Sequence, residues 1–210
     1  MKGRFITFEG VEGCGKSTQI ELLRAQLEAE GRTVLVTREP GGPPIAESIR
    51  ELLLNPGHDA MAPMAELLLY EAARAQHVAE RIRPALDAGH IVLCDRFYDS
   101  TTAYQGAGRA LPREIVEGLH ELATGGLRPE LTLLLDLSAE TGLARARKRG
   151  RSDRIEQEAI DFHERVRAAF LELAQREPER ITIIDAALSI ENVAATIQNH
   201  VAGCLPPAHQ

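Results

Sequence analysis

The 210-residue chain carries 31 acidic against 24 basic residues, a formal charge of -7, and is 44% hydrophobic and 26% charged. That is the make-up of one ordinary globular domain with a sizeable core, and it excludes collagen, coiled-coil and disordered classes. The acidic balance argues against a surface that neutralises nucleic-acid phosphates, so any polyanion site must be a local arginine cluster. Cys14, Cys94 and Cys204 stand far apart with no C-x-x-C pair, which gives neither a disulfide framework nor a zinc site; a reducing cytoplasm is the simplest reading. No run approaches the roughly 18 apolar residues needed to span a bilayer, so neither export nor membrane insertion is expected.

Along the chain the first apolar run, RFITF, leads into GVEGCGKST. Here Gly10, Gly15, Lys16 and Ser17 occupy the fixed positions of G-x-x-x-x-G-K-[ST]. Glycines at 10, 13 and 15 let backbone N–H groups turn inward on an anion, and a helix starting near Lys16 adds its positive dipole end. In such a loop the lysine reaches the β- and γ-phosphates of a nucleotide, and the serine hydroxyl holds Mg²⁺. Ile20, Leu23 and Leu27 then fall on one helical face, with Gly31 at the expected C-terminal cap. Cys14, beside Lys16 at a helix N-terminus, is expected to react with thiol reagents and to be protected by ATP.

The second run, TVLVT, ends at REPGG, Arg38 to Gly42, where an arginine offers an anion contact unless the segment is a plain surface turn. From Ala65 to Gly89 the pattern is helical, with a breaker expected at Pro84. On that helix Tyr70 and Arg74 are spaced i, i+4, so an aromatic face and a guanidinium share one side, as a nucleobase site or as part of the core. The third run, HIVLC, ends at Asp95 and Arg96. A carboxylate after a buried strand orients Mg²⁺ or its waters, and the adjacent guanidinium grips a phosphate; a structural ion pair is the alternative.

After the fourth run, LTLLL, comes ARARKRGRSDR, Ala144 to Arg154, either a solvated face or a mobile flap that brings cations to a transferring phosphoryl group. Ile155, Phe162, Val166, Phe170 and Leu173 form a helical stripe before the fifth run, ITIID. Five apolar runs alternating with helices imply an α/β fold with an open parallel sheet, whose ligands sit beyond the carboxyl ends of the strands. The seven histidines show no metal spacing and receive no role. D-x-x-G and N-K-x-D motifs are absent, which sets GTPase switches aside; a motor ATPase usually needs far more chain, so a small kinase remains.

Taken together, FEGVEGCGKST, TREPGG, AARAQ, DRFYDST, AYQGAGR, RPELTLLLDL and DRIEQE make the chain resemble the bacterial thymidylate kinases, P-loop nucleoside monophosphate kinases, over almost its whole length. The resemblance implies transfer of the ATP γ-phosphate to dTMP with Mg²⁺. It also implies a three-layer α/β/α fold on a five-stranded parallel sheet, one domain over residues 1–210 with a lid near 145–156, and usually a homodimer.

By the same resemblance Gly10, Val11, Glu12, Gly13, Cys14, Gly15, Lys16, Ser17 and Thr18, with Arg145, hold ATP. Glu12 faces the dTMP 3'-hydroxyl, Arg38 and Arg96 hold its phosphate, and Ser17 and Asp95 order the metal. Tyr70 stacks on thymine where the family usually has phenylalanine, Arg74 contacts the base, Thr101 and Gln105 surround it, and Tyr104 crowds out a 2'-hydroxyl. With no arginine among positions 11 to 14, the catalytic arginine is expected from the lid, Arg149 first; Lys16, Asp95 and Arg96 complete the catalytic set. The rivals are a kinase for another monophosphate and a nucleotide-binding module without turnover.

Overall fold

The computed structural model describes residues 3–148, 150 and 153–205. All five apolar runs are strands: β1 (Arg4–Glu9), β2 (Val34–Arg38), β3 (Ile91–Asp95), β4 (Leu131–Asp136) and β5 (Ile181–Asp185). They form one parallel sheet in the order β2-β3-β1-β4-β5. The central strands β3, β1 and β4 are buried nearly throughout, which is why their sequences show no polar alternation. At the edges β2 and β5 have one neighbour each and keep partly exposed residues, so coverage on both faces holds for the centre of the sheet alone.

The helices are α1 (Lys16–Ala29), α2 (Pro44–Leu54), α3 (Pro63–His77), α4 (Arg83–Asp87), α5 (Tyr98–Thr101), α6 (Arg113–Thr124), α7 (Ala139–Arg147), α8 (Ile160–Arg176) and α9 (Ile190–Cys204). One layer is built by α1 and α9, whose Ile20, Leu23, Leu27, Val193 and Ile197 pack with Ile6, Phe8 and Leu133. On the opposite face Val78 and Ile82 pack with Phe5 and Val92, while Phe162, Val166 and Phe170 of α8 pack with Leu134 and Ile181. The connection after β1 leads to β2 on one side and the one after β3 leads past β1 to β4 on the other, so the crevice opens beyond the carboxyl ends of β1 and β3.

Two local expectations are corrected. Pro84 does not break the helical stretch: α3 passes through a π turn, Val78–Ile82, in which the Arg83 N–H reaches back to the Val78 carbonyl. Pro84 then sits in the first turn of α4, where its missing N–H costs nothing. Ile155 is not part of the α8 helix; it lies in the turn before it, yet packs in the same apolar cluster as Phe162, Val166 and Phe170.

Candidate active site

The segment after β1 curls over itself through positive φ at Gly10, Gly13 and Gly15. At Gly13 a Cβ would stand 2.2 Å from the Gly142 carbonyl oxygen, and one at Gly142 would stand 2.3 Å from that of Glu12. The loop is therefore seated backbone to backbone on α7, a contact only glycine on both sides permits. Lys16 Nζ donates to the carbonyls of Gly10 and Val11, each at 3.1 Å, which closes the curl. Val11 packs into the core, and neither it nor Gly10 borders the cleft, so their part is to shape the loop. Cys14 is only 3% exposed, 3.5 Å from Lys16 Nζ, and packed in the core. The access that thiol reagents need is therefore small.

Beyond the loop lies one cleft of about 660 Å³. Glu12 to Thr18, Arg38, Tyr70, Arg74, Asp95, Arg96, Thr101, Tyr104, Gln105 and Arg145 all border it, so residues far apart in sequence meet here. Ser17 Oγ donates to Asp95 Oδ2 at 3.0 Å. This pairing of a hydroxyl with a carboxylate at the mouth of a phosphate loop fits a hard divalent cation. Among the described residues no three His, Cys, Asp or Glu cluster as metal ligands, so such a cation would take most of its ligands from phosphate oxygens and water.

Asp95 and Arg96 do not pair with each other, which removes the ion-pair alternative: one side chain meets Ser17, the other turns inward. Arg96 has φ 71, a left-handed conformation unfavourable for a residue with a side chain. It is held there by Nη1 bonds to the Gly10 carbonyl (2.9 Å) and Ser100 Oγ (3.0 Å), and by Nη2 to Glu12 Oε1 (3.1 Å). Its guanidinium lies 5.0 Å from the Tyr104 ring centroid, and the Tyr104 hydroxyl donates to Glu12 Oε1 at 2.5 Å. His163 Nδ1 stands 3.4 Å from Glu12 Oε2. Burial alone would raise the Glu12 carboxyl, but His163, Arg96 and Tyr104 outweigh it and hold it well below the usual carboxylate range.

At the other end Arg38 is half exposed and binds both oxygens of Glu47, at 3.0 and 2.9 Å. Arg74 is only 2% exposed and differs from the plain base contact expected of it. Its Nε donates to Glu39 (2.8 Å), its Nη1 to Glu71 (2.5 Å) and its Nη2 to Thr101 Oγ1 (2.8 Å), so it is first of all a buried tie. His77 braces Glu39 at 3.0 Å and His120 braces Glu71 at 2.8 Å. The Gln105 amide donates to Glu66 at 2.8 Å. The Tyr70 phenol is pushed up by burial and then by the charge of Glu66.

Of the arginines expected in a lid, Arg145 is exposed at the cleft near Ala186, whereas Arg149 lies outside the described residues. Arg154, read as part of the cationic flap, is buried: its Nε donates to the Leu53 carbonyl at 2.8 Å and its Nη2 pairs with Glu66 at 2.6 Å. Sequence reasoning missed Glu39, Glu66, Glu71, His77, His120 and His163. Glu71 was legible as an i, i+3 partner of Arg74, and Glu39 lies inside REPGG. The histidines were discounted for lack of metal spacing, while their work is to brace carboxylates.

A family model described as thymidylate kinase matches residues 8–197. A thymidylate kinase of Trichlorobacter lovleyi is 54% identical over 94% of this chain and 96% of its own length. That of Pseudomonas putida is 56% identical over 94% of each chain, and that of Geobacter sulfurreducens 52% over 97% and 99%. The solved structure of thymidylate kinase from Ehrlichia chaffeensis matches with a TM-score of 0.78 at 32% identity, covering 96% of this chain and 99% of that one.

Proposed function

This chain belongs to the thymidylate kinase family and is a phosphotransferase, and from that premise we propose that it moves the γ-phosphate of ATP to dTMP, giving dTDP and ADP, in a single cleft holding both nucleotides. The observation that carries this reading is the continuity of the cleft. The same 660 Å³ space is bordered by the phosphate loop at one end and by Tyr70, Arg74, Thr101 and Gln105 at the other.

On this reading Gly13 to Thr18 cradle the donor phosphates on a loop shaped by Gly10 and Val11, Lys16 neutralises the β- and γ-oxygens, and Arg145 closes over the donor nucleotide. Lys16 must exchange its two loop carbonyls for phosphate oxygens when the donor enters. Mg²⁺, held by the Ser17 hydroxyl and ordered by Asp95, would supply charge neutralisation on the transferring group. Arg38 and Arg96 grip the acceptor phosphate; for Arg38 this means release from Glu47, which at an exposed site costs little. Glu12, kept ionised, accepts the sugar 3'-hydroxyl, and Tyr104 closes the space beside it. Tyr70 stacks on the base, Arg74 offers the N–H groups not engaged by Glu39, Glu71 and Thr101, and the lid supplies Arg149 as catalytic cation.

The domain is one unit with its lid near residues 145–156, works in the cytoplasm, and pairs as a homodimer. For the last of these the support is the apolar surface on helices that pack on one another: Ile45 and Leu52 of α2, Met64 and Leu68 of α3, Ile115 and Leu122 of α6. An ADP-release assay across a panel of nucleoside monophosphates tests the substrate: dTMP should be preferred, and preference for UMP, CMP or AMP overturns the reading. Tight ATP binding without transfer to any monophosphate would leave a binding module instead.

A further inference from the structure

Glu66 of α3 is wholly buried beside the acceptor end of the cleft and has no part in the roles given above. Its Oε1 accepts from Gln105 Nε2 at 2.8 Å and from Arg109 Nε at 3.1 Å; its Oε2 accepts from Arg109 Nη2 at 3.1 Å and lies 2.6 Å from Arg154 Nη2. Burial would raise its carboxyl, but the bonds from Arg109 and Gln105 and the charges of Arg109 and Arg154 prevail and keep it below its ordinary value. Arg109 is itself fixed, by Glu158 at 2.5 Å and by the Phe162 ring 4.9 Å away.

An ionised carboxylate only accepts hydrogen bonds, so the Gln105 amide has one orientation here: Nε2 toward Glu66, Oε1 turned away from it. Without such a partner an amide turns over freely between its donor and acceptor sides. Gln105 borders the cleft in company with Arg74, which is a donor at every polar atom.

We propose that Glu66 is a positioning residue that sets base specificity: by locking the Gln105 amide it presents a carbonyl acceptor beside the donors of Arg74. That polarity matches the keto oxygen and N3–H of thymine or uracil. Cytosine carries an amino group and an unprotonated N3 at the same edge, so both groups of the site would be left facing their own kind. A buried polar site of fixed sense rejects the mismatched base far better than an apolar pocket does. The proposal rests on the reading of this end of the cleft as the acceptor-base site.

The experiment compares kcat/KM for dTMP and dCMP in the wild type, Glu66→Gln and Gln105→Leu. In Glu66→Gln the new carboxamide offers N–H groups, Gln105 turns over, and the preference for dTMP over dCMP should narrow by about tenfold or more, with the KM for ATP unchanged. A preference at the wild-type value in Glu66→Gln, with dTMP turnover lost in Gln105→Leu, overturns the role of Glu66 and leaves the base site standing. If Gln105→Leu keeps both dTMP turnover and the preference, the base-site reading itself fails. Should Glu66→Gln not fold, ¹⁵N-labelled dTMP bound to ¹³C-labelled wild type decides: a scalar coupling across the hydrogen bond should join the base N3 to the Gln105 side-chain carbonyl carbon. Absence of that coupling in the saturated complex overturns the proposal.

Discussion

Lys16 and Glu9 sit a few residues apart and answer to different physics. The spacing of the phosphate loop marks Lys16, and its Nζ bonds to the carbonyls of Gly10 and Val11 make it the latch of the loop as well. Loss of one charge-stabilising donor costs about 3 kcal/mol in the transition state, so Lys16→Ala should stay folded by circular dichroism while kcat falls by about 10²-fold. Glu9 carries no motif. It is buried at the end of β1, accepts from the backbone N–H groups of Phe97 (2.7 Å) and Ser100 (3.3 Å), and so holds the turn that bears Arg96. Burial, and then the charge of Asp99, push its carboxyl up to about 7 from an ordinary 4.5. Between those values the folded chain keeps a proton that the unfolded chain has lost, so Glu9 lowers stability as pH rises from 4.5 toward 7. The melting temperature of Glu9→Gln relative to wild type should therefore climb between pH 5 and pH 8; a constant difference would rule out this protonation. Cys14, conspicuous in the sequence, is buried, and modification by a thiol reagent should be slow in the folded enzyme and slower still with ATP bound.

At the scale of elements the arginine-rich segment 144–154 is the part that periodicity read least well. ARARKRGRSDR looks like one block of charge, but α7 ends within it and its far end is fixed by Arg154 to Glu66 and to the Leu53 carbonyl. The two arginines therefore predict different defects. If Arg149 is the catalytic cation proposed above, Arg149→Ala should lower kcat much more than it raises KM, because its charge would be needed only in the transition state. Arg154→Ala breaks a buried pair and should cost about 3 kcal/mol of stability, seen as a clear drop in melting temperature. The π segments show the same limit of local reading. Val78–Ile82 absorbs Pro84, and Thr102–Gly108 carries Tyr104 and Gln105; both lengthen a helix by one residue per turn, which no short-range pattern announces.

For the whole molecule, five strands in the order β2-β3-β1-β4-β5 bring the loop after β1, the REPGG turn after β2 and the DRFYDST segment after β3 to one edge of the sheet. The strands were legible because the sheet centre is buried on both faces and tolerates only apolar side chains there. The outer surface carries its own prediction. Leu122 is 80% exposed on α6, so if α2, α3 and α6 form the homodimer face, the chain should sediment at twice its own mass and Leu122→Asp should shift it toward monomer.

By itself the sequence determined the α/β class, the five strands and the phosphate loop, since these depend on short-range spacing and on runs of apolar residues; most of the remaining side chains expected at the cleft came from the resemblance to a family. Only the tertiary structure decided what those side chains do to one another. Arg74 proved to be a buried tie between Glu39, Glu71 and Thr101, Arg154 an anchor, and Glu66 the partner that orients Gln105. The reason is one of range: a buried charge must find its counter-charge wherever the fold brings one within about 3 Å. Apart from Glu71, three residues before Arg74, those partners lie tens of residues away along the chain, as with Arg74 and Glu39, 35 residues apart.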